Sequence, residues 1–347
     1  MTQPFTCWTT EVGAADAARV GGKAAALGEL ATAGLPVPRG FVITTAAFLL
    51  HMDGVDPDGA ARGALVALAA DDLAGIARAA ACLRARVVGQ ALPPEVAAEI
   101  APACAALGDG PVAVRSSATL EDSAEASFAG LQDTYLAVRG TGTVLDRVRA
   151  CWASLYNDES IAYRRRQGTG EDGLAMGVVV QRMLNPRSAG VMFTRSPVTG
   201  DRSVVAIEGT WGLGSALVGG EVTPDSFTVS KVTGEITGRR VGVKLRVHSF
   251  TPNGPGISAT PMAIPLQRTP CLTDDEVRAL ARLGRQVEDH YGAPQDIEWA
   301  LLGDSPGRFV LLQSRPETVW AARDRGPIAS PQAKASDHVL ARFSRGL

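Results

Sequence analysis

Cysteine and histidine are sparse in this chain, and neither clusters. The five cysteines, Cys7, Cys82, Cys104, Cys151 and Cys271, are widely spaced, odd in number and never form a CxxC pair. That argues against a disulfide framework and against a zinc site. None of His51, His248, His290 and His338 sits in a His-rich or acidic ligand cluster, so each reads as a surface or helix residue rather than a catalytic one. A Gly-x-Ser-x-Gly elbow is missing, so no serine nucleophile is signalled. Apolar runs are far too short to span a bilayer, and no charged-then-apolar leader opens the sequence; the expected address is the cytoplasm. A formal net charge of -2 gives no bulk attraction to nucleic acid or membrane. Aromatic residues make up 5% of the chain and provide no stacking platform beside Arg164-Arg165-Arg166. That basic run therefore reads as a solvated C-terminal helix end, favoured by the macrodipole, and not as a nucleic-acid patch.

What is present is an ordinary globular balance, 46% hydrophobic and 20% charged over 347 residues, enough for two domains. Residues 16–34 read as a helix with Gly34 as its C-cap, and Pro36 and Pro38 then force an extended segment into a strand at 40–44. Residues 58–108 are Ala-rich and predict two or three scaffold helices. Val112 to Arg115 reads as a buried strand ending in a cation, 116–130 as a Ser-rich loop, 135–138 as a strand, and 143–166 as one long helix. The β-branched run Val178 to Met183 predicts a central strand. Pro186 closes it, giving lobes at 1–184 and 185–322 with a tail at 323–347. Further strands are expected at 190–194 and 204–208. Thr233-Gly234 marks a hairpin turn between 226–232 and 235–248, and the Pro-rich 249–271 reads as a long loop or lid. Thr273-Asp274-Asp275-Glu276 is a capping box starting a helix to about Tyr291, and 297–315 has a β-hairpin signature. The fold class is mixed α/β.

That last hairpin carries the sharpest chemical argument. Strand side chains alternate between faces, so Asp296 and Glu298 share one face while Ile297, Trp299 and Leu301 share the other. Gln313 and Arg315 likewise share a face. A register pairing Glu298 with Gln313 also pairs Asp296 with Arg315. Carboxylate and amide oxygens suit Mg²⁺, which takes one or two carboxylates plus phosphate oxygens, and Arg315 is able to grip a phosphate bidentately. A surface salt bridge on a hairpin is the bland alternative. Gly21-Gly22-Lys23 at a helix start and Arg115 beside a Ser-rich loop add cations suited to a polyphosphate, each weak alone. This is not a Walker A loop, which needs Gly-x4-Gly-Lys-Ser/Thr.

Read together, these segments resemble the ATP-binding domain shared by phosphoenolpyruvate synthase, pyruvate phosphate dikinase and rifampicin phosphotransferase. The resemblance rests on GGKAAALGEL and GLPVPRGFVITTAAF, then VAVRSSATLEDSAEASFAGLQDTYLAVRG, CWASLYNDESIAYR and VVVQRMLNPRSAGVMFTRSPVTGD, and finally EGTWGLGSALVGGEVTPDSF, DIEWAL and FVLLQSRPET. These run in family order over nearly the whole chain. The SFAG form of the phosphate loop is similar to the synthase and rifampicin branch. The resemblance implies an ATP-grasp architecture with ATP between two lobes. Lys23 and Arg115 are then expected to bind and polarise the phosphates, with Gly130 and Thr134 in the loop closing over them. Gln181 and Met183 would meet adenine, Glu298 and Gln313 would hold Mg²⁺, and Arg315 would stabilise the transferring phosphoryl group.

Family members continue into a swivelling domain with a phosphorylated histidine and then an acceptor domain. No Gly-Gly-x-Thr-Ser-His-like segment occurs here, and His338 in Ser336-Asp337-His338-Val339 does not match one. The leading expectation is an ATP- and Mg²⁺-dependent phosphotransferase that converts ATP to AMP and passes the β-phosphate to a histidine on a separate partner protein, which serves an acceptor component. The alternative is a free-standing ATP-grasp kinase or ligase acting directly on a small molecule, with 249–271 shaping an acceptor pocket. A third reading, a regulatory nucleotide-binding module without turnover, is disfavoured because every expected site residue is kept. Neither nucleic acid nor membrane is an expected partner.

Overall fold

The structure, a computed structural model, describes residues 3–69, 71–119, 133–166, 173–251, 254, 256–303, 307–318 and 320. Gly130, most of the expected 116–130 loop, the tail at 323–347 and His338 lie outside the described residues.

The first part of the chain runs β1 (Thr6–Trp8), α1 (Ala17–Val20), α2 (Gly22–Thr32), β2 (Gly40–Ile43), α3 (Thr45–Val55), α4 (Ala60–Val66), α5 (Leu73–Gly89), α6 (Pro94–Leu107), β3 (Val112–Ala118), β4 (Thr134–Val138), α7 (Thr141–Ser154), α8 (Asp158–Arg166) and β5 (Met176–Arg182). Its strands form an antiparallel sheet in the order β1-β2-β5-β3-β4, so the β-branched β5 is central as expected. The second part runs β6 (Pro186–Phe193), β7 (Val204–Trp211), α9 (Ser215–Val218), β8 (Asp225–Ser230), β9 (Ile236–Arg240), β10 (Arg246–Phe250), β11 (Ile257–Pro261), α10 (Ile264–Gln267), α11 (Asp274–Tyr291), β12 (Gln295–Leu302) and β13 (Phe309–Pro316). A six-stranded antiparallel sheet, β13-β12-β6-β7-β8-β9, is its backbone, with β10 and β11 a separate two-stranded hairpin. The chain is thus mixed α/β. No helix among the described residues is long and apolar enough to cross a membrane.

Several elements depart from the sequence reading for identifiable reasons. The helix expected over 16–34 is broken at Gly21, which takes φ 82; α2 starts one residue later. β3 does not end at Arg115 but continues to Ala118, fully paired with β5. Pro186 opens β6 rather than closing β5, in line with the tolerance for proline at the first residue of a strand. The helix expected over 143–166 is interrupted between Ser154 and Asp158. The carbonyls exposed by that interruption are taken by cations: Arg164 Nη1 donates to Leu155 O at 2.7 Å and Arg84 Nη1 to Tyr156 O at 2.6 Å. Arg164 is therefore buried, and Arg165 donates to carbonyls of Leu65 and Leu68. Arg164 and Arg165 are internal wiring at this point, and only Arg166 of the run is exposed as a solvated helix end would be. Residues 249–271 are not a structureless lid either, since they hold the end of β10 and all of β11 and α10.

Two apolar cores result. One gathers Phe41, Phe48, Val114, Trp152 and Val180 with α3 to α7; the other gathers Ile207, Phe227, Val277, Leu280, Trp299 and Leu311 between α11 and the second sheet. α2 belongs to both parts. Leu27 packs beside Val42 and Val179, whereas Leu30 packs into the second core. A helix buried on opposite faces has no polar stripe, so its sequence shows little amphipathic pattern. Tyr291 OH donates to Ala26 O at 3.3 Å, and His290 meets Glu29 at 3.0 Å, fixing α11 to the same helix. Asp225 and Lys244 form a fully buried ion pair at 2.5 Å, and Asp225 also accepts from Gly242 N and Cys271 N. A second link between the parts is the β10–β11 hairpin, where Gly256 N donates to Ala137 O at 3.2 Å.

Candidate functional site

The two sheets meet at Arg115. Its side chain leaves β3 of the first sheet and crosses to β12 and β13 of the second. Nη1 donates to Leu312 O at 2.6 Å, and Nη2 donates to Gln313 Oε1 at 2.6 Å and Glu298 Oε2 at 3.1 Å. The hairpin supplies these acceptors in the register anticipated from side-chain alternation: Glu298 opposes Gln313 and Asp296 opposes Arg315. Ile297, Trp299 and Leu301 are buried on the other face. A bulge follows Glu298. Arg115 is 10% exposed and Glu298 40%, so the carboxylate keeps a face open to an incoming group.

Behind Glu298, Arg315 Nη2 lies 3.5 Å from Asp296 Oδ2. Burial pushes the Asp296 carboxyl up to about 6, against the pull of Arg315 and with Glu317 adding to the rise.

Lys23 is buried at the start of α2, and its Nζ donates to Ser116 O, next to Arg115, at 2.6 Å. The helix gets this close because residue 21 lacks a side chain. A Cβ on Gly21 would stand 1.9 Å from Ser117 O, and its φ of +82° is one that side chains rarely accept. Ser117 Oγ then accepts from Ala24 N at 2.9 Å, locking α2 to β3.

Between the sheets lies a cavity of about 460 Å³. Of the residues expected to contact a nucleotide, Arg115, Thr134, Gln181, Met183 and Glu298 line it. Lys23, Gln313 and Arg315 are not on its wall; Gln313 adjoins through Arg115 and Lys23 through Ser116. Thr134 opposes Arg115 across the β3–β4 ladder. The Gln181 side chain donates to Pro38 O at 3.2 Å, and Met183 Sδ receives Ala137 N at 2.8 Å. Both side chains are thus already engaged by protein. The floor is flat and apolar: Ala189, Ala300 and Leu312 pack together, and a Cβ on Gly190 would meet Glu208 O at 1.9 Å.

One lining residue and the two side chains behind it were not anticipated. Ser215 faces the cavity from α9, and its Oγ lies 2.8 Å from His248 Nδ1; His248 Nε2 lies 3.3 Å from Glu221 Oε2. His248 is buried on a strand, neither a surface nor a helix residue as the sequence indicated. Thirty-three positions separate it from Ser215, and no local motif connects the two.

Chemically, the site presents a cation flanked by a carboxylate and an amide at one end of an apolar slot. Among the described residues no group of three or more His, Cys, Asp or Glu gathers to hold a metal alone. Glu298 and Gln313, brought together on the Arg115 guanidinium, form a two-oxygen set of the kind Mg²⁺ completes with phosphate oxygens. The residues present therefore fit that ion.

Similarity to known proteins agrees with this reading of the slot. A rifampicin phosphotransferase from Streptomyces sp is 46% identical over 311 residues, covering 89% of this chain and 35% of the relative. A probable phosphoenolpyruvate synthase from Staphylothermus marinus is 38% identical over 369 residues, covering 98% and 44%. Another from Methanothermobacter thermautotrophicus is 40% identical over 320 residues, covering 90% and 46%. The chain spans less than half the length of each of these relatives. A solved ADP complex of purK, N5-carboxyaminoimidazole ribonucleotide synthetase, aligns with 74% of this chain and 60% of its own at TM-score 0.28 and 10% identity, too distant to bear on function. The family model for the pyruvate phosphate dikinase AMP/ATP-binding domain matches residues 17–336, and the chain belongs to that family.

Proposed function

We propose that this chain binds ATP with Mg²⁺ between its two sheets and activates it for phosphoryl transfer, as the nucleotide-using part of a dikinase-like phosphotransferase. The observation that carries the reading is the Arg115 contact set: one guanidinium from the first sheet held on Glu298 and Gln313 of the second. Phosphoryl transfer needs little covalent chemistry from protein; it needs position and charge at the transferring group.

In this reading Arg115 and Lys23 place positive charge on the phosphates, and Thr134 sits beside them. Gly130 belongs to the closing loop. Arg315 stabilises the group in transit, while the strand through Gln181 and Met183 faces the base. Glu298 and Gln313 would hold Mg²⁺, which supplies charge neutralisation to the polyphosphate. The division into lobes at 184/185 is supported by the strands of the two sheets lying on either side of it. In this reading ATP is converted to AMP and the β-phosphate passes to a histidine on a separate protein in the cytoplasm; the names of the relatives, a rifampicin phosphotransferase and phosphoenolpyruvate synthases, support a phosphotransferase.

Incubating the purified chain with ATP and Mg²⁺, alone and with cell extract, and resolving AMP, ADP and phosphate tests this. AMP that forms with extract supports the dikinase reading. ADP instead supports the free-standing kinase or ligase, and no nucleotide turnover in either condition overturns both. Glu298→Gln is expected to weaken Mg²⁺-dependent ATP binding; an unchanged magnesium titration removes the metal role.

A further inference from the structure

The Ser215–His248–Glu221 string has no part in the reading above, yet it opens directly onto the cavity. On that wall Ser215 stands among Leu213, Leu217 and Val218. His248 is fixed from several sides. Its backbone bridges to Gly212, its carbonyl accepts from Leu213 N at 2.9 Å, and its ring is buried between Ser215 and Glu221. Arg246 also reaches Glu221, at 3.5 Å.

The partners determine how the hydrogens run. When the ring is neutral, with Nε2 facing a carboxylate, the tautomer that satisfies both contacts carries its hydrogen on Nε2 and leaves Nδ1 as an acceptor. The Ser215 hydroxyl then donates to Nδ1, and the lone pairs of Oγ point outward as an acceptor. Each bond in such a chain polarises the next. A flexible hydroxyl has thereby become a directed acceptor on an otherwise apolar wall, suited to a ligand O–H.

Position narrows which O–H. Arg115 and Glu298 mark the phosphate end of the slot, and the strand through Met183 marks the base end. Gly214 packs over Ala189 of β6, where an added Cβ would lie 3.6 Å from the Ala189 Cβ. β6 lies between β7, which leads into α9, and β12, which carries Glu298. β7 is about two strand spacings, ~10 Å, from the Glu298 strand, and Gly214 reaches back over β6, so Ser215 stands between one and two spacings from that strand. Along a nucleotide whose phosphates lie at Arg115, that is where the sugar falls.

We infer that Ser215, aligned by His248 and Glu221, accepts a hydrogen bond from a sugar hydroxyl of the nucleotide and makes the site selective for ribonucleotides. The inference rests on the ATP reading of the cavity. Ser215 is a binding residue here, and His248 and Glu221 are positioning residues that act through it.

Calorimetric titration of the full chain with ATP, 2′-deoxy-ATP and 3′-deoxy-ATP, each with Mg²⁺, tests it. In the wild type one deoxy analogue is expected to bind about five- to tenfold more weakly than ATP, the worth of one hydrogen bond; which analogue identifies the hydroxyl. Ser215→Ala and His248→Phe should weaken ATP to the level of that analogue, leaving the analogue's own affinity unchanged. Glu221→Gln should fall between. Melting temperature guards against misfolding, and a general loss of structure would weaken all three nucleotides together. Equal binding of all three by the wild type overturns the inference, as does Ser215→Ala that keeps full discrimination; ATP binding would stand in both cases. Absence of ATP binding by the wild type overturns the underlying reading and this inference with it.

Discussion

The Arg115 guanidinium holds a carboxylate and an amide that lie 183 and 198 positions further along the chain. Arg115→Ala removes three hydrogen bonds at once and leaves Glu298 without its cation, so turnover should fall at least about 10²-fold. Arg115→Lys keeps the charge but not the planar fork, and should recover only part of the loss. Steady-state assays on both variants check this, and a lysine variant as active as wild type would show that charge alone matters. His51 gives a separate test at this scale. Burial holds its imidazole below the ordinary histidine value, against the hydrogen bond to Val87 O at 2.9 Å. On acidification through about 6.5 the unfolded chain takes up a proton that the folded chain refuses, so the stability is present above that pH and lost below it. His51→Gln keeps a donor for Val87 and should flatten the fall in melting temperature between about pH 7.5 and 5.5; an unchanged slope assigns the acid sensitivity elsewhere. The facing of Glu298 and Gln313 was legible in sequence from strand alternation, whereas the Lys23 and Arg115 signals were weak alone, and only the fold brings Arg115 onto that pair. Ser215, His248 and Glu221 were not legible, because only the turn after β7 and the strand β10 bring them together.

At the scale of elements, the β12–β13 hairpin was the most readable, down to the pairing of Glu298 with Gln313. Period-two alternation with one apolar face leaves a single register, since a slip of one residue would bury Asp296 and Glu298. The capping box at Thr273 was equally plain, because its two bonds are local: Thr273 Oγ1 accepts from Glu276 N, and Glu276 Oε2 from Thr273 N. Breaks were harder to see. The interruption after Ser154 is satisfied by Arg84 and Arg164 from other helices, and nothing in the local sequence announces them. Gly21 was read as part of a weak Gly-Gly-Lys pattern, whereas its role is the approach of α2 to β3. Gly21→Ala should destabilise the fold by roughly 2–4 kcal/mol, because a clash with Ser117 O adds to an unfavourable φ. Urea unfolding measures this, and a loss below about 0.5 kcal/mol, the range of ordinary surface changes, would show that the backbone relaxes.

Over the whole molecule, a ligand held by both sheets stabilises both at once. ATP with Mg²⁺ at about 100 times its dissociation constant should add about 2.7 kcal/mol, seen as one cooperative upward shift in melting temperature of several degrees. Arg115→Ala should abolish the shift, and two separate transitions of which one responds would show that the sheets unfold independently. The Gly256–Ala137 contact is another tie between the two parts. Ala137 is a non-glycine residue at φ 55, next to Leu136 on the cavity wall. A left-handed alanine costs about 1–2 kcal/mol, close to what the hydrogen bond from Gly256 returns. The left-handed residue falls where the β3–β4 register shifts, so that ladder fixes it whether or not the hairpin is docked. The clasp on β4 is then a single hydrogen bond worth about 1 kcal/mol, closer to a latch than to a bolt.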